Sequence, residues 1–423
     1  MTALVVGGII LLALLGTPLY AIIGAAALVS FYSAEIDSAA IFIEMYRVTS
    51  APTLVAIPLF TFAGFMMAES GTPRRLTRLS QALLGGLPGG IPMVVLIACA
   101  LFTSFTGASG VTIIALGGLL YPLLLKQKYS NDFSLGLITA SGNLGLLYPP
   151  SLPLILYGLI AQVSIDRLFL GGVLPGLLQI VIFAGFSAYI STRHHVERIP
   201  FDPREAWEAL KEIRWELPLP FIILFGIYGG WITVTEAASV TVVFVLVVET
   251  LIYRDLHLQR DLPRIMKNSM VLVGAILIIL GTAMGFTSYL VDEQVPMHLL
   301  DWMRRYIDDQ VTFLIVLNLF LLAVGCMMDI FSAIIVVVPL IVPIAESFGV
   351  DMVHLGIIFL VNLEIGYMTP PVGINLFLAS SRFNQPVLTL YRAALPFLGL
   401  LLVRLLLITY FPMITLWLVR LAS

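Results

Sequence analysis

The chain has 423 residues, 60% of them apolar and 11% charged, with a formal charge of −3 and five histidines. Its mean hydropathy is +1.03. A soluble globular protein has roughly a quarter of its residues charged, so this chain uses the bilayer as its solvent. The small net charge, with no basic stripe and no interleaved aromatics, excludes a nucleic-acid binder.

Taken in chain order, the first segment, Ala3 to Tyr32, has no basic n-region and no clear cleavage site. It reads as mature membrane structure, one long helix or two short ones, divided at Gly16, Thr17 and Pro18. Residues 1–50 are assigned to N-terminal membrane helices. Next come a span ending at Glu69, an apolar pair flanking Thr103 to Gly110, a broken span over about 133–163 and the run Leu168 to Tyr189. That run, Thr235 to Tyr253 and Ser269 to Leu290 each reach the roughly 20 residues that cross about 30 Å of hydrocarbon. Residues 191–268 hold the longest polar stretch, His194 to Leu217, then two connecting spans. In that stretch Asp202 and Pro203 predict the start of an interfacial helix whose apolar pattern is Trp207, Leu210 and Ile213. Cys99 and Cys326 lie in apolar sequence and read as small buried thiols.

One spacing recurs. Ala63-Gly64-Phe65 corresponds to Met284-Gly285-Phe286, Pro122 to Pro343, Pro149-Pro150 to Pro370-Pro371 and Pro175 to Pro396, each 221 residues apart (371 − 150 = 221). Two copies of one unit follow, 51–190 and 269–411, with 412–423 as a C-terminal end. The first contains a hairpin at about 91–126, the second a hairpin at about 312–346 and a broken helix at about 354–382. If the hairpins are re-entrant, five crossings separate the copies, and an odd number inverts the second relative to the first. The basic residues agree: Arg74, Arg75, Arg78, Lys126, Lys128, Arg193, Arg198, Arg204, Lys211, Arg214, Arg254, Arg260, Arg264 and Lys267 fall on one side, which the positive-inside rule makes cytoplasmic, with Arg304 and Arg305 diluting the contrast on the other. The expected fold is an all-α polytopic membrane protein of two inverted repeats, each with a re-entrant helical hairpin and a broken transmembrane helix.

Each copy has two breaks in its apolar helices. One is the tip Thr103 to Gly110, matched by Gly325 to Ser332. The other is Gly142 to Ser151, matched by Asn362 to Val372. Paired prolines remove backbone donors and free upstream carbonyls. Unwound backbone at membrane depth is tolerated only in protein or at a cavity, so four breaks at one depth make a site. Carbonyls and helix C-termini suit a hard monovalent cation, and helix N-termini and hydroxyls suit a carboxylate. Any single serine there, taken alone, reads first as a packing or helix-to-helix hydrogen-bonding residue, and only the repeat correspondence turns the group toward binding. Asp329 is either near a ligand or an N-cap, Glu364 a proton-coupling group or a carboxylate bonded to unwound backbone, and Glu236 a capping or domain-contact residue. His354 is assigned no role, and no arginine is visible inside either tip or broken helix. The five histidines, at 194, 195, 257, 298 and 354, fall in loops or at span ends. With no HExxH, GxSxG or phosphate-loop motif either, an intramembrane enzyme or a nucleotide hydrolase is not the reading.

The phrases "FTSFTGASGVTIIALGGLLYPLLLKQKY", "GLLYPPSLPLILYG", "GGWITVTEAASVTV", "GCMMDIFSAIIVVVPLIVPIAESFGVDMVHLGII" and "NLEIGYMTPPVGINLFLAS" resemble, in order and over nearly the whole chain, the DctM/SiaM-like large membrane subunit of tripartite ATP-independent periplasmic (TRAP) transporters. The resemblance implies an elevator-type carrier of the ion transporter superfamily in a bacterial or archaeal cytoplasmic membrane. It would need no cofactor, couple to Na+ and import a small organic acid such as a C4-dicarboxylate or sialic acid. It implies two protein partners besides membrane lipid: a small four-helix DctQ-like subunit and a periplasmic DctP-like binding protein. Carried over by position, one sodium region is Ser104, Thr106, Gly107, Ser109, Asn143 and Pro149. The second is Gly325, Asp329, Asn362, Thr369, Pro370 and Asn375. The substrate region is Ser109, Ser151, Ser332 and Asn375. The tip reads Thr-Gly-Ala-Ser-Gly where relatives are often richer in serine, which leaves the hydroxyl contacts open. The alternative is a single-component sodium-coupled dicarboxylate or anion carrier of the same superfamily.

Overall fold

The computed structural model describes residues 7–8, 11–12, 15–37, 39–193 and 200–422, and among these it is helical with no strand. The first residues of the N-terminal segment, and His194 and His195 at the start of the linker, lie outside them. Among the described residues, eight helices are long and apolar enough to cross a membrane, or nine if one bent pair counts as a span.

Helix α1, Leu19–Ser33, starts after the turn at Gly16 (φ +81°) and Pro18, where the sequence divides its first segment. It packs with α2, Ala39–Thr49, on the long helix described below as α13. After a 3-10 turn, α3 (Ala56–Glu69) precedes the amphipathic α4 (Thr72–Leu84). The first hairpin is α5 (Gly90–Thr106) and α6 (Ser109–Lys126), separated by Gly107, at φ +64°, and Ala108. Then follow α7 (Asn131–Ser141), a 3-10 turn at Leu144–Leu147 and α8 (Leu152–Ala161). The two halves are bent by 45° around the cis Pro149–Pro150 bond. Helix α9 runs Ile165–Arg193.

In the linker, α10 (Pro203–Ile213) is capped by Asp202, whose carboxylate accepts from the Arg204 amide at 2.9 Å. Its buried face keeps the predicted pattern at Ile213 and, half-buried, at Leu210, and departs from it at Trp207. Ala209 and Ile213 are buried, while Trp207 is 58% exposed, because α10 lies against α4 and turns its indole outward beneath the Lys211 ammonium. Of the two connecting spans expected next, α11 (Pro218–Tyr228) is an 11-residue helix stopped by Gly229 and Gly230, and α12 (Val234–Val247) continues through a π turn to Ile252. Thr233 and Glu236 close a capping box at the start of α12, so Glu236 is a capping residue.

The second half holds α13 (Leu262–Asp292), α14 (Val295–Met303), the hairpin α15 (Gln310–Met327) and α16 (Ile330–Ser347), then α17 (Met352–Gly366), α18 (Ile374–Phe383), α19 (Val387–Tyr410) and α20 (Met413–Ala422). Several bounds keep the sequence spacing. Helix α16 is α6 moved by 221 at both ends (330 − 109 and 347 − 126), α17 starts 221 residues after α7 (352 − 131), and the cis Pro370–Pro371 bond lies 221 after the first. Prolines lie within α6, α9, α16 and α19 without ending them.

Arg75 of α4 is buried where α4 meets the segment after α10 and the end of α12. Its guanidinium donates to Glu216 (2.9 Å), Glu249 (3.0 Å) and Asp255 (2.6 Å), and stacks 3.9 Å over the Tyr253 ring. On the surface beside it, Arg78 bonds Glu205 and Glu212, and the bond to Arg78 holds the Glu205 carboxyl below the usual carboxylate range.

Candidate substrate and cation site

The two tips, 222 residues apart in sequence (325 − 103), line one cavity of about 430 Å³. Gly107, Ser109 and Val111 face it from the first hairpin, and Asp329, Ile330 and Phe331 from the second. Tyr367 and Ile374 close it from the second break, and α3 and α13 complete the wall with Phe65 and Ile276. It is mostly apolar, with Ser109 and Asp329 as polar groups at the tips.

At the first tip, Thr103 Oγ1 donates to the Gly142 carbonyl at 2.9 Å and pairs with Thr112 Oγ1 at 2.7 Å, which ties the hairpin to the first break. Ser104 Oγ turns back onto the Leu101 carbonyl, 2.8 Å away. Thr106 Oγ1 reaches only long contacts of 3.5 Å with Thr103 O, Ala108 O and Thr112 Oγ1. At the second tip, Asp329 caps α16: Oδ1 accepts from the Phe331 and Ser332 amides at 3.0 and 3.1 Å, and Oδ2 from the Ser332 hydroxyl. The Tyr367 hydroxyl accepts from the Ile330 amide at 2.7 Å, so this tip is held by the second break.

Between the breaks runs a chain of hydrogen bonds, each 2.8 Å long. Ser109 Oγ donates to Asn375 Oδ1, Asn375 Nδ2 to Asn143 Oδ1, and Asn143 Nδ2 to the peptide carbonyl of Glu364. Asn143 and Glu364 are repeat mates (364 − 143 = 221), so equivalent positions of the two copies meet. Close backbone approach brings them there. A side chain on Gly145 would strike the Ser104 amide and the Ala100 carbonyl, and one on Gly366 would strike the backbone of Gly325.

The predicted residues regroup accordingly. Asn375, placed by sequence in the second sodium region and the substrate region, bonds to Ser109 and Asn143 of the first sodium region. Asn362, placed beside Asp329, turns away: Nδ2 donates to Asn318 Oδ1 and to the Ile358 carbonyl, both at 2.8 Å. The reason is its position on α17, whose face there is covered by α15. Ser151 is buried as the cap of α8, bonded to the Leu146 carbonyl and the Leu154 amide. Ser332 is buried on the Asp329 carboxylate. Neither of these serines is among the cavity's lining residues. Thr369 Oγ1 bonds the Ile365 carbonyl at 2.8 Å, and Pro149 and Pro370 open the cis bonds at the two breaks. Gly325 is the partner of Gly366.

The Glu364 side chain behaves differently from the sequence reading. The Glu364 carboxylate does not bond unwound backbone: Oε2 accepts from Arg404 Nη2 of α19 at 2.7 Å, with both side chains at most 1% exposed. Arg404 escaped because it lies outside both breaks, although an arginine in the run "LGLLLVRLLLITY" was itself the signal. His354 sits in the first turn of α17, at the span entrance where the sequence places it, and is buried there. Its ring nitrogens lie 3.2 Å from Thr415 Oγ1 and 3.3 Å from the Thr409 carbonyl. Among the described residues, no group of three His, Cys, Asp or Glu side chains could hold a metal ion.

The family model of the tripartite ATP-independent periplasmic transporter DctM component matches residues 6–414. The chain belongs to the DctM family of TRAP transporters. It is 37% identical over 378 residues to the C4-dicarboxylate TRAP transporter large permease protein DctM of Pseudomonas aeruginosa, covering 88% of each chain. To the sialic acid TRAP transporter large permease protein SiaM of Vibrio cholerae it is 34% identical over 365 residues, covering 86% of this chain and 85% of the relative. The YdaH transporter of Alcanivorax borkumensis has a similar fold at 14% identity, with a TM-score of 0.60 over 85% of this chain and 84% of that one. Its DctM membership makes the chain a large permease subunit, a transporter rather than an enzyme.

Proposed function

We propose that this DctM chain is the translocating subunit of a sodium-coupled importer of a small organic acid, in the cytoplasmic membrane of a bacterium or archaeon. The observation that carries the reading is the single cavity at which both tips meet, with the Ser109–Asn375–Asn143–Glu364 chain of hydrogen bonds between the two breaks. Amide and peptide oxygens at such a crossing are the hard, neutral ligands that suit Na+, and the ordered N-terminal ends of α6 and α16 at the cavity suit a carboxylate. Substrates of the C4-dicarboxylate or sialic acid type follow from the named relatives. The partners follow from the family: a tripartite transporter supplies a small membrane subunit and a periplasmic binding protein.

The 221-residue offset and the one-sided basic residues support inverted copies, and therefore movement of the two hairpins with their broken helices as one body against the rest. The test is uptake into proteoliposomes holding this chain and the small subunit, with and without the binding protein, under an imposed sodium gradient. Uptake that requires both partners and sodium supports the tripartite symporter. Uptake by this chain alone would replace it with a single-component carrier, and uptake indifferent to sodium would remove the coupling.

A further inference from the structure

An ion pair at membrane depth needs an explanation beyond packing. Desolvating two charges costs several kcal/mol that their attraction offsets only in good geometry, so such a pair is weak evidence for stability and stronger evidence for function. Glu364 and Arg404 share one bond of 2.7 Å, and the other carboxylate oxygen and two guanidinium nitrogens, Nε and Nη1, have no protein partner.

The repeat supplies an internal control. The mates of Glu364 and Arg404 are Asn143 and Phe183 (364 − 143 = 221; 404 − 183 = 221), a neutral amide and a fully buried phenyl ring that packs on Phe397. The same frame thus closes in the first copy with no charge at these positions. The second copy carries the pair one residue pair before Gly366, where α17 ends against Gly325. Gly366 holds this end of α17 on the α15 side, and Arg404 holds it on the α19 side. The group held between them is the Glu364 peptide carbonyl, the acceptor for Asn143 Nδ2. The orientation of Asn143 in turn sets which way its Oδ1 points, now toward Asn375.

We infer that Glu364 and Arg404 are positioning residues. The side-chain pair fixes the Glu364 carbonyl, which orients the Asn143 carboxamide and, through Asn375 and Ser109, the oxygens offered to the transported cation. The inference rests on the sodium-coupled reading above and adds to it a determinant of cation affinity that touches neither cavity nor cation. Groups that orient metal ligands in this indirect way typically change affinity by about 10- to 100-fold when removed.

The test grafts the first copy's solution onto the second, as E364N/R404F, in the reconstituted transporter with both partners. Membrane abundance measures folding, and the sodium concentration for half-maximal uptake measures positioning. The expected result is near-normal abundance with half-activation by sodium raised about tenfold or more. Arg404→Lys keeps the charge but loses the planar fork, and it is expected to give a smaller rise in the same direction. It also serves as the second variant should the double substitution fail to insert. Wild-type sodium dependence in both inserted variants, or in Arg404→Lys alone if the other is absent from the membrane, would overturn the positioning role. A wild-type transporter that ignores sodium would instead sink the coupling reading and this inference with it.

Discussion

The two copies reach the same cavity with different chemistry. The first tip is hydroxyl-rich, with Thr103, Ser104, Thr106 and Ser109, and the first break turns on neutral Asn143. The second tip is capped by Asp329, and the second break is anchored by Glu364 and Arg404. Their hairpins differ too. The arms of the first pack on each other, whereas those of the second part around an apolar cleft of about 650 Å³ lined by Phe313, Phe320, Leu340 and Trp302. A frame shared at 221-residue spacing therefore does not dictate the electrostatics placed on it. Helix bounds and the glycine contacts belong to the frame, and the charges belong to one copy alone.

Substitutions that attack the shared frame should be the most damaging. Gly145→Val and Gly366→Val each drive a side chain into the backbone of a facing hairpin, which cannot move aside as a flexible side chain would. Both should abolish inserted protein, measured as membrane abundance. Wild-type levels for one and loss for the other would show that the copies do not share the constraint.

Next is the charged difference. Arg404→Ala leaves a buried carboxylate unpaired and should cost about 3–5 kcal/mol of stability, while removing both charges with volume kept should cost much less. Thermal unfolding of the detergent-solubilised protein reads the order of the two. Equal losses would mean that the ion pair itself, and not the carboxylate left unpaired, carries the stability.

Smaller again are the polar groups of the crossing. Asn143→Ala cuts the chain between the copies and should lower sodium-driven uptake about tenfold, by loss of roughly 1–2 kcal/mol of hydrogen bonding. Ser104→Ala should do much less, because its hydroxyl serves only the preceding turn of its own helix. Asp329→Asn keeps a capping oxygen, so any fall in its uptake reports the charge rather than the helix start. The smallest effect is expected at Glu205→Gln on the exposed α10 surface, with uptake unchanged. Arg75→Ala nearby would strip the buried Glu216 and Glu249 of their shared partner and should reduce abundance.

The frame was legible in the sequence because its determinants are local. Paired prolines, capping residues such as Asp202 and Glu236, and long apolar runs act within a few residues, and repetition multiplies the signal. The site was legible only as regions. Which way a side chain leaves its helix depends on packing from distant segments, so the sequence grouped Asn375 with Ser109 but not with Asn143, and it did not show that the Asn362 side chain turns from its break onto Asn318. Ser151 caps α8 and Ser332 donates to the cap of α16, because a hydroxyl at a helix start and a hydroxyl at a ligand look alike in sequence. Arg404 was missed because the search was confined to the breaks, while its partner sits on one and it does not.

The central claim is that both tips contribute to one cation-dependent cavity. It is tested most directly by thiol labelling of single cysteines placed at lining positions, V111C from the first copy and F331C from the second, with Cys99 and Cys326 replaced by alanine. The account predicts that sodium, but not potassium, slows labelling at both positions in parallel over the same concentration range. Protection at one position only, or at neither, would contradict a shared site.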